Sequence, residues 1–257
     1  MRARSCLAGS LCWLLVASLP VCAQSANYHV ELFSGEHHFP DSGIRLLNDG
    51  PKVIEAFSVQ LTCHGAWVAG TAGDVLDAGA EIIENPDGNG RGLSPGGFWC
   101  VAPSQKCRDA KEDEQPSVTA IIYADGTYDG SVTAVRLLKA QRDGIIAAVN
   151  YWAERLAREN PGGSTLNDLL SDAKERGRED TAAANRYHLG EPLQSYWTGR
   201  DMVDRYVATD CGMLTSGGAQ VNFRHISDCV ARWKSRIDRD SAMENLNAIF
   251  SPVSDIP

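Results

Sequence analysis

Phe57-Ser58-Val59-Gln60-Leu61-Thr62-Cys63 puts Phe57, Val59, Leu61 and Cys63 on one face of an extended chain and Ser58, Gln60 and Thr62 on the other. Side chains alternate across a strand, so this run predicts a half-buried β-strand. The same period recurs upstream, where Tyr28, Val30 and Leu32 alternate with His29 and Glu31. Downstream, residues 118–124 (Val-Thr-Ala-Ile-Ile-Tyr-Ala) are apolar on both faces except at Thr119, as in a central strand, and stop at the turn signal Asp125-Gly126. Shorter strands are predicted at residues 44–47, 67–69, 81–84 and 98–101. Asn48-Asp49-Gly50-Pro51, Asn85-Pro86-Asp87-Gly88 and Ser94-Pro95-Gly96-Gly97 divide them. No ten-residue helical pattern intervenes, so an antiparallel sandwich is expected rather than parallel βαβ units.

From Ser131 the period becomes helical. Val135, Leu138, Ile145, Val149, Trp152 and Leu156 follow spacings built from three and four, with Arg142 the single polar intruder, until Asn160-Pro161-Gly162-Gly163 ends the run. A helix over residues 132–159 would be about 42 Å long. Leu166, Leu169, Leu170 and Ala173 predict a second helix after Ser164. Its later part, residues 174–180, is densely charged and contains Gly177, and is expected to be solvated or frayed. A third starts at Pro192, a residue suited to the first turn, and carries Leu193, Tyr196, Trp197, Val203, Tyr206 and Val207. Phe223, Ile226, Val230, Trp233 and Ile237 mark a fourth, and the capping-box pair Ser241 and Glu244 opens a short last one before Pro252. The expected fold is therefore α+β, with an antiparallel β-sandwich over residues 24–130 and an α-helical region over residues 131–257.

The Asn-rich turn and alternating strand of residues 48–63, Leu93-Ser94-Pro95-Gly96, and residues 118–126 ending in Tyr-Ala-Asp-Gly come in an order that resembles secreted bacterial immunoglobulin-like β-sandwich modules of uncharacterised function. The resemblance covers about 80 residues of the N-terminal half. It implies a fold and a secreted location, and carries no catalytic residue.

Residues 1–23 are expected to be a signal peptide. Arg2 and Arg4 precede an apolar run over residues 7–19, and Val21-Cys22-Ala23 offers small residues where a signal peptidase reads. That run is shorter than the roughly 20 residues a bilayer span needs, and no second one follows, so no integral membrane segment is expected. Leu19-Pro20-Val21 before Cys22 is a distant match to a lipoprotein signal, although Val21 is bulkier than usual there. The 257 residues carry a formal net charge of −9, which becomes more acidic once Arg2 and Arg4 are removed. Such a balance opposes polyanions, and nucleic-acid binding would need a basic stripe that the chain lacks. A chain of this length buries roughly 70% of its unfolded surface and can fold without a metal. The expected location is secreted or periplasmic.

Five cysteines remain after cleavage: Cys63, Cys100, Cys107, Cys211 and Cys229. In an oxidising compartment an odd number leaves one unpaired or bridged to a partner. Proximity favours disulfides between Cys100 and Cys107 and between Cys211 and Cys229, whose loops of about 8 and 19 residues would contribute roughly 2.5 and 3 kcal/mol. Cys63 is then a buried thiol; the alternative pairs it with Cys100 as an inter-sheet staple and frees Cys107.

His37-His38 beside Glu36 is the one histidine cluster. Adjacent side chains on an extended segment point apart, so it reads as a solvated loop rather than a zinc site. Asp87-Gly88-Asn89-Gly90-Arg91-Gly92 begins like a calcium loop, but Arg91 and Phe98 stand where oxygen ligands belong. Neither a metal nor a cofactor is expected. Asp74 and Asp77, between Gly73 and Gly79, make a weak acid–base pair. His-Glu-x-x-His and phosphate-loop signatures do not occur. Trp152, Tyr196, Trp197, Tyr206 and Trp233 read as helical core rather than as a ligand groove. The expectation is a secreted noncatalytic protein with a binding or envelope-associated role toward an unknown protein or glycan. The alternative is a secreted hydrolase with a dispersed site between the halves, using His64, His188 or His225 and loop carboxylates.

Overall fold

A computed structural model describes residues 27–34, 42–63, 66–74, 76, 92–101, 114–158, 166–209, 223–240, 242–251 and 253. Two open antiparallel sheets occupy the N-terminal half. In the first, β1 (Tyr28–Ser34), β2 (Ser42–Asn48) and β5 (Phe98–Val101) lie in the order β1-β2-β5. The second orders β4 (Ala66–Asp74), β3 (Ile54–Cys63), β6 (Glu114–Tyr123) and β7 (Tyr128–Gly130) as β4-β3-β6-β7.

Period two sorts the side chains of the second sheet between two cores. Phe57, Val59 and Leu61 of β3 and Ile121 and Tyr123 of β6 pack with Tyr28, Val30, Ile44 and Leu46 of the first sheet. The alternate residues Ala56, Ala120 and Ile122 face the helices. The sheet is thus covered on both sides, and β6 is an inner strand, as its two apolar faces require.

The helices are α1 (Val132–Arg158), α2 (Leu166–Ala184), α3 (Pro192–Ala208), α4 (Phe223–Ile237) and α5 (Ala242–Ile249). Val135 and Leu138 of α1, Ala242, Met243 and Leu246 of α5, and Phe250 cover the second sheet. A separate helical core gathers Ile145, Val149 and Trp152 with Leu169, Val203, Val207, Val230 and Trp233. Leu76, just past β4, is buried in that core, and its carbonyl accepts the Trp233 indole N–H. The crossing of α1 and α3 is close: a Cβ on Gly144 would stand 2.0 Å from the Tyr196 carbonyl oxygen, and one on Gly199 2.1 Å from that of Gln141.

Residues 174–180 are expected to be solvated or frayed, and the structure corrects the fraying but not the solvation, since Lys174, Glu175, Arg178 and Glu179 are exposed. α2 runs unbroken to Ala184, and both Gly177 and Asp180 are buried. Two of its charges, Arg176 and Asp180, are partnered across the helix interface. Asp180 Oδ2 accepts from Arg200 Nε at 3.0 Å, Arg176 Nε lies 3.5 Å from Asp204 Oδ2, and the Thr181 hydroxyl donates to Asp201 at 2.9 Å. Among the described residues, no helix is long and apolar enough to cross a membrane. The strand expected at residues 81–84 lies outside the described residues, as do residues 1–23.

Candidate binding pocket

The first turn expected from the sequence builds one wall of a pocket. Asn48 is fully buried; its Nδ2 donates to the carbonyls of Lys52 at 2.8 Å and Leu93 at 2.7 Å, while its Oδ1 accepts the Gly50 N–H at 3.1 Å. Asp49 N–H donates to the Asn27 carbonyl at 2.9 Å, closing the turn on the start of β1. Lys52 therefore leaves the turn in a fixed position.

The opposite wall is the β6–β7 hairpin. Its turn needs a left-handed residue, which Gly126 supplies at φ 76°. Asp125 Oδ1 accepts both the backbone N–H and the hydroxyl of Thr127, at 3.0 and 2.5 Å. From α5, Asn245 Nδ2 donates to the Asp125 carbonyl at 2.7 Å, and Phe250 stacks obliquely on Tyr128 at 5.7 Å.

Between the walls lies a cavity of about 170 Å³, lined by Asn27, Gly50, Pro51, Lys52, Tyr123, Thr127, Tyr128 and Asp129. Lys52 Nζ sits 2.8 Å from both Asp125 Oδ2 and Thr127 Oγ1, and 5.5 Å from the centre of the Tyr123 ring. The Tyr123 hydroxyl donates to Asp129 Oδ2 at 2.8 Å. Burial, and then the bond to Asp129, pushes the Tyr123 phenol well above its ordinary range; burial followed by the Asp129 charge raises Tyr28 too. Bonds from Lys52 and Thr127 hold the Asp125 carboxyl down at about 2. These groups are fixed by one another and open to solvent on one side.

A second ionic cluster is sealed. Arg142, the polar intruder of α1, is fully buried. Its Nη2 donates to Glu55 Oε2 at 3.0 Å and lies 3.1 Å from Asp240 Oδ2, and its Nε lies 3.0 Å from Asp74 Oδ2. Asp240 also accepts the Ala242 N–H at 3.0 Å, so it caps α5; Ser241, the expected cap, lies outside the described residues. Burial pushes Asp74 up to about 7 against the pull of Arg142, and burial raises Glu55 against the same pull. Beside this cluster, buried Lys139 pairs with Asp143 at 2.7 Å, and Asp143 accepts the Val253 N–H at 3.0 Å. Asp74 is therefore not a loop acid beside Asp77 but one anchor of an internal clamp, with its Oδ1 accepting the Leu76 N–H at 2.8 Å.

The remaining expected residues are dispersed. Trp152, Tyr196, Tyr206 and Trp233 are buried, while Trp197 is half-buried. His188 is exposed in the turn after α2, and His64 and the side chain of His225 lie outside the described residues. His29 Nδ1 contacts Asp49 Oδ2 beside the pocket, a pair the sequence reading missed. Residues 37 and 38, Asp77 and residues 87–91 lie outside the described residues. Cys229 is buried in α4 and disulfide-bonded. The side chains of Cys63, Cys100, Cys107 and Cys211 lie outside the described residues, and so does the partner of Cys229. Lys52, Tyr123, Tyr128 and Asp129 escaped the sequence reading. The available signal was Tyr123-Ala-Asp125-Gly-Thr127-Tyr128-Asp129, where tyrosines and acids crowd one hairpin.

Compared with protein family models, with curated proteins and with solved structures, the chain matches none.

Proposed function

We propose that the chain is an exported, noncatalytic binding protein with an envelope-associated role, and that the pocket between the β2–β3 turn and the β6–β7 hairpin is its ligand site. One observation carries this. The Lys52, Tyr123 and Asp129 side chains line an open cavity and are already braced by Asp125, Thr127 and each other, which suits recognition of a ligand more than attack on a bond. Export is supported by the leader-like residues 1–23 and by the Cys229 disulfide, since such bonds persist in oxidising compartments. We pair Cys229 with Cys211 and Cys100 with Cys107. The shared core of the two antiparallel sheets supports an immunoglobulin-like sandwich for the N-terminal half.

The second reading is a hydrolase, and the His29–Asp49 contact is what favours it. That histidine is oriented by a carboxylate, but the Thr127 hydroxyl that lines the pocket is already bonded to Lys52 and Asp125. The two readings separate in a ligand-observed NMR screen of the exported chain against amines, sugars and short peptides. A compound that binds and is recovered unchanged supports the binding protein. A compound that is consumed, at a rate abolished by His29→Ala, establishes the hydrolase instead.

A further inference from the structure

We infer that the pocket takes a small organic ammonium group, the Asp129 carboxylate supplying the counter-charge and the neighbouring tyrosine rings the wall; this rests on the pocket being the ligand site. Four features converge. First, Asp129 stands among tyrosines: its Oδ2 accepts from Tyr123, its charge acts on Tyr28, and Tyr128 precedes it on the same strand. Ring faces are negative, so tyrosines around a carboxylate make a surface selective for cations. Second, Lys52 shows what this wall accepts. Its own ammonium already lies 5.5 Å from the Tyr123 ring centre with an acid, Asp125, 2.8 Å away.

Third, the charges do not cancel. Lys52 is matched by Asp125, whereas Asp129 has no ion-pair partner among the described residues, leaving one negative charge at the pocket. The acidic chain, net −9, favours cation approach in the same sense. Fourth, the ligand set suits a soft cation. Calcium needs six or more oxygens and magnesium a near-ideal octahedron, whereas this cavity offers one carboxylate and the Thr127 hydroxyl beside aromatic and amide side chains and the Lys52 ammonium. At about 170 Å³ it has room for a headgroup, not for an extended chain.

The test uses the exported full chain and three probes: tetramethylammonium chloride, potassium chloride at equal ionic strength, and glucose. Backbone NMR shifts of residues 52, 123 and 127–129 are followed. Tetramethylammonium is expected to give saturable shifts there while potassium gives none. Asp129→Asn keeps an oxygen for the Tyr123 hydroxyl and should weaken binding at least tenfold. Lys52→Met removes the resident cation and should tighten it several-fold, which keeps the idea testable if Asp129→Asn folds poorly. Equal shifts from potassium, or a Lys52→Met variant that binds no tighter, overturn the inference. Saturable shifts from glucose without tetramethylammonium binding reject the ammonium and leave the pocket as the ligand site; no response to any probe rejects both.

Discussion

Arg142 and Lys52 are both cations paired with carboxylates, yet one is fully buried among three of them and the other, beside one, is about half exposed. Around Arg142, three carboxylates from β3, β4 and the α4–α5 joint converge on a single guanidinium in a place water does not reach. The cluster joins sheet to helices, and every member depends on the others. Around Lys52 the same chemistry faces solvent, where screening weakens each pair. Burial, more than residue type, separates a clamp from a recognition surface.

The clamp is where substitution should cost most. Arg142→Met is expected to destabilise by about 3–5 kcal/mol, because Glu55, Asp74 and Asp240 would be left buried without their cation. For a chain of this size that lowers the thermal midpoint by roughly 10 °C. Adding Asp74→Asn should recover part of the loss, since it removes one orphaned charge. A midpoint unmoved by Arg142→Met would show that the two clusters do not differ in kind.

Titration should separate the two regions next. Asp74 and Asp180 have folded values of about 7 against an ordinary 3.8, and Glu55 and Asp204 are raised in the same direction. The groups facing them are Arg142 and Asp240 in the first cluster, and Arg176, Arg200 and the Trp152 indole in the second. A raised acid binds its proton more tightly folded than unfolded. Its contribution is complete below about pH 4 and is lost as pH climbs through 7. The thermal midpoint should therefore fall by several degrees between pH 5 and pH 8. A midpoint that rises over that interval would mean that the buried acids are ionised throughout.

Much of the fold was legible because two periods carry it. Alternation placed β3, a run apolar on both faces placed β6, spacings of three and four placed α1, α3 and α4, and Asp125-Gly126 marked the hairpin that forms the pocket wall. Charge partners were not legible. Lys174-Glu175-Arg176-Gly177-Arg178 reads as a solvated stretch, since nothing local reveals Asp204 or Asp180–Arg200 pairing across helices. Arg142 looked like an intruder for the same reason: Glu55, its partner, is 87 positions away. The pocket was hidden similarly, because Lys52 and Thr127 are 75 residues apart.

The α1–α3 crossing is sensitive to shape alone. Gly144→Ala would drive a methyl carbon into the Tyr196 backbone, which cannot rotate aside. Overpacking of this kind typically costs about 1–3 kcal/mol, a smaller loss than removing Arg142. Differential scanning calorimetry would report it as a drop of a few degrees. Unchanged stability would require the helices to separate without loss, contrary to the close contact described.

The smallest effect belongs to the pocket itself. Asp125 is exposed over half its side-chain surface, and its carboxyl is held at about 2 by Lys52 and Thr127. A lowered acid stabilises the fold above its ordinary range, and that contribution is lost only as pH falls from about 4 toward 2. Near neutral pH, Asp125→Asn keeps an oxygen for the Thr127 N–H and hydroxyl and gives up only the exposed pair with Lys52. Such pairs are worth about 0–1 kcal/mol, so the thermal midpoint should move by no more than about 3 °C, and less in high salt. Ligand binding should respond more than stability does, because Lys52 would lose its counter-charge and offset Asp129 instead. A loss of stability as large as that of Arg142→Met would show that the pocket's charges brace the fold, and the contrast between an internal clamp and an open recognition site would fail.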